Sequence, residues 1–149
     1  MLKKILVLGG IVLFLLCGWV WGGGQPKVPP KVQTKLGKYV SPTQAYAMWR
    51  QDPDRIKILD CRTPEEYVFV GHPPMAYNIP FQLWTGKWDG ERKTFILADN
   101  PNFLDRAREK FQPQDTILIL CSSGGRSAKA ADGFKNVGNV KKVLQKGLP

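Results

Sequence analysis

The sequence predicts an α/β domain built on a central, mainly parallel sheet flanked by helices, and three observations predict it. Thr116 to Leu120, TILIL, is a β-branched and apolar run without alternation, which is how a strand covered on both faces reads. Ile56, Ile58 and Leu59 begin a second short apolar run that ends at Asp60, Cys61 and Arg62. Both runs pass at once into helix-starting sequence, Thr63 to Glu66 after the one and Ser122 to Ala131 after the other. Strands followed directly by capped helices belong to α/β sheets.

From the N-terminus, Lys3 and Lys4 precede an apolar run from Ile5 to Trp21 and then Gly22, Gly23 and Gly24. Residues 1–24 read as a secretory leader with the glycines as cleavage site, or as a membrane anchor. A span takes about 20 residues, and Trp19 and Trp21 suit an interface. Either way the expectation is an exported domain, periplasmic or anchored to the outer face of the inner membrane. Leu16 before Cys17 argues against a lipoprotein. Residues 25–38, with Pro26, Pro29 and Pro30 among Lys27, Lys31, Lys35 and Lys38, read as an extended, solvated linker, which leaves 39–149 for the domain.

Within the domain, Ser41 is an N-cap, Pro42 occupies the first helical position and Gln44 completes a capping box. Ala45, Met48 and Trp49 then form one apolar stripe, and Asp52 and Pro53 close the helix. Thr63 and Glu66 repeat the cap for a short helix containing Tyr67. Residues 81–100 hold Trp84, Trp88 and Phe95 among Gly, Lys, Asp and Glu, and read as a long connecting loop of the kind that serves as a binding loop or lid. Its tryptophans either pin it to the domain or meet substrate. Phe103, Leu104, Ala107 and Phe111 are spaced as a helix that stops before Pro113.

The net charge of +10 suits anionic small molecules or an anionic lipid surface. No basic run interleaved with aromatics accompanies it, so nucleic acid is not expected as a partner. His72 is the single histidine, which argues against a metal site built on imidazoles. Neither a metal nor a cofactor is expected.

The chemistry concentrates after Cys121, where Ser122, Ser123, Gly124, Gly125, Arg126 and Ser127 lead into a helix. Two glycines allow a positive-φ turn that aims backbone N–H groups inward, and the helix offers its unpaired first-turn N–H groups to the same point. A thiolate in that cup, with Arg126 close by, has its pKa lowered and becomes a nucleophile at neutral pH. The bland alternative is a small buried cysteine closing a strand.

Residues 121–131, CSSGGRSAKAA, resemble the active-site loop of the rhodanese-like (thiosulfate sulfurtransferase) domain, in which four residues separate the cysteine from the arginine. Related phosphatases and arsenate reductases place five there, and one residue adds roughly 3.5 Å of contour, enough to favour an oxyanion over a single sulfur. Residues 58–80 are similar to the same family. They keep Asp60, Arg62, Glu66, Tyr67, Gly71, His72, Pro74, Ala76, Asn78, Ile79 and Pro80, while Pro73 and Met75 replace the usual Ile and Gly. The resemblance implies a three-layer rhodanese-like fold and a sulfurtransferase in which Cys121 carries a persulfide. Ser122, Ser123, Gly124, Gly125, Arg126 and Ser127 then bind the substrate, and Lys129 adds positive potential at the entrance. Asp60 and Arg62 either support the site or serve as scaffold with loop backbone and Glu66, and His72 is structural. The implied partners are a small anionic sulfur donor and a thiol or other acceptor.

One departure is that only Ser127 to Asp132 lie between Arg126 and Gly133, about 9 Å of helix. The C-terminal part is therefore expected to be shortened, with residues 141–149 a compressed last strand and helix. That shortening and the basic surface keep a second reading open, a binding module at the cell envelope that has the shape without turnover. Cys61 and Cys121 end strands that are neighbours in the family fold, so a disulfide stands beside two independent thiols as an expectation.

Overall fold

A computed structural model describes residues 28–134 and 142–144 of the chain. The leader or anchor over 1–24 lies outside the described residues. Among those described, no helix is long and apolar enough to cross a membrane.

Five strands form one parallel sheet. They are β1 (Tyr39–Val40), β2 (Ile56–Asp60), β3 (Ala76–Asn78), β6 (Thr116–Leu120) and β7 (Lys142–Leu144), in the spatial order β1-β7-β6-β2-β3. The two apolar runs are the central pair, in register from Ile56 opposite Thr116 to Asp60 opposite Leu120. Alternate side chains of these strands go to opposite layers. Leu59, Ile117 and Ile119 pack with Phe103 and Ala107 of α3 (Phe103–Lys110) and Ala130, Ala131 and Phe134 of α4 (Gly125–Phe134). Ile58, Leu118 and Leu120 pack with Ala45, Met48 and Trp49 of α1 (Pro42–Gln51) and with Tyr67 of α2 (Pro64–Phe69). The expected three layers are therefore present. Both capping boxes form as expected: Ser41 and Thr63 accept from the amides of Gln44 and Glu66, whose side chains accept from the N-cap amides in return.

Three expectations are corrected. Residues 82–99 are not a loop but an antiparallel hairpin, β4 (Gln82–Asp89) and β5 (Thr94–Asp99), a separate two-stranded sheet with an irregularity between Trp84 and Trp88. Asp89 closes its turn by accepting from the amides of Glu91 and Arg92. Trp84 and Trp88 both set their rings against Phe95, at 5.0 and 5.1 Å between centroids, and remain open to solvent.

The helix after Cys121 is also longer than expected. Gly133 and Phe134 continue it to ten residues, because Phe134 buries itself against Phe103 and Gly133 sits on Leu104. Of the expected compressed tail, Lys142–Leu144 is the parallel strand β7, and the remainder lies outside the described residues.

Finally, the described part of the linker is not wholly solvated. Thr34 is buried, Leu36 packs on the α3 and α4 side of the core, and the Lys35 amide donates to Asp132 on α4 at 2.9 Å.

Ile119 has no exposed surface, so Ile119→Ala removes three carbons from a dry layer. A loss of about 3 kcal/mol is expected from urea unfolding of the variant beside the parent chain.

Candidate active site at the Cys121 loop

Strand β6 delivers Cys121 to the carboxyl end of the sheet, where open parallel sheets bind ligands. The loop then turns at Gly124, whose φ of 90° is left-handed and suits glycine, and Gly125 opens α4. This turn folds the backbone around the sulfur. The Gly124 amide donates to Cys121 Sγ at 3.1 Å and the Ser127 amide at 3.4 Å, with the Ser127 hydroxyl also 3.4 Å away. The Ser127 hydroxyl has one proton to give, either to that sulfur or to the Gly124 carbonyl at 3.1 Å, where it braces the turn from inside the helix. Cys121 itself is only 3% exposed, so its sulfur sits in the floor of the cup.

A second thiol completes the surroundings. The register that pairs Asp60 with Leu120 places Cys61 next to Cys121, and both are free cysteines in the same core layer. Cys61 anchors to the neighbouring strand through its amide and its thiol, 3.0 and 3.2 Å from the Leu120 carbonyl. Turned from that carbonyl, its one S–H serves the Cys121 thiolate instead. That hydrogen bond is the chief cause that brings the Cys121 thiol down to about 5, against burial and with help from the Ser127 hydroxyl and amide and the Ser123 peptide. The same bond pushes the Cys61 thiol well up, with burial adding to it. The pair thus divides into one thiolate and one thiol donor.

Arg126 takes a different part from the one its sequence position suggests. Its guanidinium grips Glu66 at 2.5 and 2.7 Å and donates to the Ser122 hydroxyl at 2.8 Å. Burial pushes the Glu66 carboxyl up, but the hydrogen bonds from Arg126 and the Thr63 amide, with the charges of Arg126 and Arg62, together outweigh this and leave it below the usual carboxylate range. The positive charge at the loop is therefore largely compensated. Ser123 is exposed at the rim, and Lys129 is exposed on α4, where it forms none of the described ion pairs.

Asp60 and Arg62 stand behind the loop. Asp60 is fully buried and holds the Arg62 fork at 2.6 to 3.0 Å, while Arg62 also donates to the Gly71 carbonyl at 2.7 Å. Asn78 ties the same strand end by donating to the Asp60 and Arg62 carbonyls. These are scaffold contacts that fix the Gly71 turn. The expected pairing with Glu66 goes instead to Arg126. His72 stacks on Tyr67 at 3.4 Å between ring centroids and places Nδ1 2.8 Å from the Tyr67 carbonyl. Among the described residues no group of His, Cys, Asp and Glu is placed to hold a metal ion.

Sequence reasoning missed two participants. Cys61 was legible as the strand-end cysteine matching Cys121, but its work as a hydrogen-bond donor depends on register. The partnership of Glu66 with Arg126 spans 60 positions and had no local signal beyond the capping box that Glu66 also completes.

A family model described as the rhodanese-like domain matches residues 41–149. Thiosulfate sulfurtransferase 16, chloroplastic, of Arabidopsis thaliana is 35% identical over 82 residues, covering 55% of this chain and 61% of that protein. Thiosulfate sulfurtransferase 18 of the same plant is 39% identical over 89 residues, covering 55% of this chain and 59% of that protein. The senescence-associated protein DIN1 of Raphanus sativus is 35% identical over 82 residues, with 55% and 40% covered. The chain thus spans less than two thirds of the length of these relatives. Among solved structures, Rv0390 from M. tuberculosis superposes with a TM-score of 0.55 at 24% identity, over 72% of this chain and 75% of that one, a likeness of fold.

One substitution tests what sets the sulfur's acidity. The alkylation rate of Cys121 with iodoacetamide should rise with pH around a midpoint of about 5. In Cys61→Ala that midpoint should move up by about one unit or more, because the donor to the thiolate is lost. An unchanged midpoint would show that Cys61 is not the donor.

Proposed function

The chain belongs to the rhodanese-like domain family, and on that premise we propose that it is a sulfurtransferase that carries sulfane sulfur as a persulfide on Cys121. The observation that carries the reading is the convergence of two backbone amides, of Gly124 and Ser127, on one buried sulfur whose pKa is lowered to about 5. Such a cup stabilises negative charge on sulfur without moving during the reaction.

In the first step the Cys121 thiolate attacks the outer sulfur of thiosulfate or of a persulfide donor. The S–S bond of the donor breaks, sulfite or a thiolate leaves with the electron pair, and Cys121 becomes a persulfide anion. In the second step a thiol or another thiophilic acceptor attacks the outer sulfur, and the Cys121 thiolate returns. Ser122, Ser123, Gly124, Gly125, Arg126 and Ser127 form the surface that the donor meets. Arg126 contributes position more than net attraction, since Glu66 compensates its charge. Asp60 and Arg62 support the site from behind.

The rival reading, a binding module without turnover, drew on a stunted helix after the loop and on the basic surface; α4 runs for ten residues with its apolar face buried, which removes the first of these grounds. Export to the periplasm or the outer face of the inner membrane remains part of the proposal, resting on Lys3, Lys4 and the apolar run that follows them.

Incubation with thiosulfate should raise the intact mass by one sulfur atom, and cyanide should remove that sulfur as thiocyanate. In Cys121→Ala both should vanish, with turnover down by at least about a thousandfold. No sulfur gained by the parent chain, together with undiminished turnover in the variant, would overturn the proposal.

A further inference from the structure

Two thiols stand side by side at the carboxyl end of the sheet, and the transfer described above forms bonds to only one of them. The β2–β6 ladder continues past its last strand pair, since the Cys61 amide donates to the Leu120 carbonyl at 3.0 Å and so brings Cys61 level with Cys121. Neighbouring strands lie about 4.8 Å apart, inside the roughly 4.4–6.8 Å between Cα atoms that a disulfide spans. Both side chains also enter the same core layer. The pair is therefore placed for a bond that leaves either strand where it is.

Cys61 is the more enclosed of the two. It has no exposed surface, whereas 3% of Cys121 remains open. A donor or acceptor arriving from solution thus meets Cys121, and the sulfur that Cys61 can reach is that of Cys121. In the resting site the hydrogen bond to Cys121, burial and the Cys121 charge together keep Cys61 a thiol. Loading Cys121 with sulfur relaxes part of this hold. The negative charge moves one bond outward to the new terminal sulfur, and the Cys61 S–H loses its charged acceptor.

We infer that Cys61 is a resolving thiol, which attacks the loaded Cys121, closes a Cys61–Cys121 disulfide and expels the carried sulfur as hydrosulfide. The inference rests on the sulfurtransferase reading above. In the step the Cys61 sulfur, giving up its proton, bonds to Cys121 Sγ, and the bond from Sγ to the outer sulfur breaks. The outer sulfur takes that electron pair and the proton and leaves as hydrosulfide. It is reduced, the two cysteines are oxidised to the disulfide, and nothing external is consumed. A dithiol then restores the site by attacking Cys121, the more accessible sulfur, and departs as its own disulfide while both cysteines return as thiols. Cys61 thereby sets how long a loaded loop waits for an acceptor.

The test uses the full chain carrying Cys17→Ala, which leaves Cys61 and Cys121 as its cysteines. The chain is charged with thiosulfate, freed of excess donor and kept without acceptor while intact mass and hydrosulfide are followed together. With Cys61 present, the added sulfur should leave as about one equivalent of hydrosulfide, and the peptide map should show Cys61 linked to Cys121. Cys61→Ser retains a hydrogen-bond donor beside Cys121 and cannot close the bond, so its persulfide should last at least about tenfold longer. A carried sulfur that persists equally in both chains, or hydrosulfide released with Cys121 linked to a second chain, overturns the inference and leaves the sulfurtransferase reading intact. If no sulfur is gained from thiosulfate, the transfer reading falls, and 4,4′-dithiodipyridine decides the role of Cys61 alone. Conversion of the mixed disulfide at Cys121 into the same linked peptide, with a lasting mixed disulfide in Cys61→Ser, supports a resolving role. A mixed disulfide that lasts in both chains overturns it.

Discussion

The parallel register between β2 and β6 is the constraint on which the rest depends. With Asp60 opposite Leu120, the two chain segments leave the sheet side by side, one into Cys61, Arg62 and the cap of α2, the other into Cys121 and the loop. A slip of one residue would turn every side chain of a strand to the other layer. It would carry Cys61 away from the sulfur it serves and Glu66 away from Arg126. The register is held by what it buries, since Leu59, Leu118 and Ile119 have no exposed surface at all.

On this base the site is assembled from polar groups with assigned partners. The Asp60 carboxylate is consumed by Arg62, and Arg62 in turn fixes the Gly71 carbonyl. Thr63 caps α2 through Glu66, and Glu66 holds Arg126. Arg126 then orients Ser122. Each group thus has one neighbour in the sheet or helix and one toward the loop, which gives the cup around Cys121 its rigidity with both described cysteines left free.

Much of this was legible in the sequence because it is local. Capping boxes at Ser41 and Thr63, apolar runs at 56–59 and 116–120, and the Cys-Ser-Ser-Gly-Gly-Arg loop each declare themselves within a few residues. What escaped is long-range or ambiguous. The hairpin was hidden because its irregularity between Trp84 and Trp88 breaks the alternation that marks a strand, although Asp89-Gly90 is turn chemistry. The length of α4 was misread because Gly133 and Phe134 resemble the start of the family's next strand, whereas burial of Phe134 carries the helix through both. The neutralisation of Arg126 needed the tertiary fold, since nothing near residue 126 contains an acid before Asp132.

The contact between Lys35 and Asp132 has a mechanical meaning. The polypeptide ahead of β1 is fastened to the very helix whose first turn lends an amide to Cys121, with Thr34 and Leu36 seated on either side of the fastening. Tension on the N-terminal side is thus delivered to α4 before it reaches the sheet. A load on the chain ahead of Thr34 would therefore be felt at the sulfur cradle before it is felt in β1.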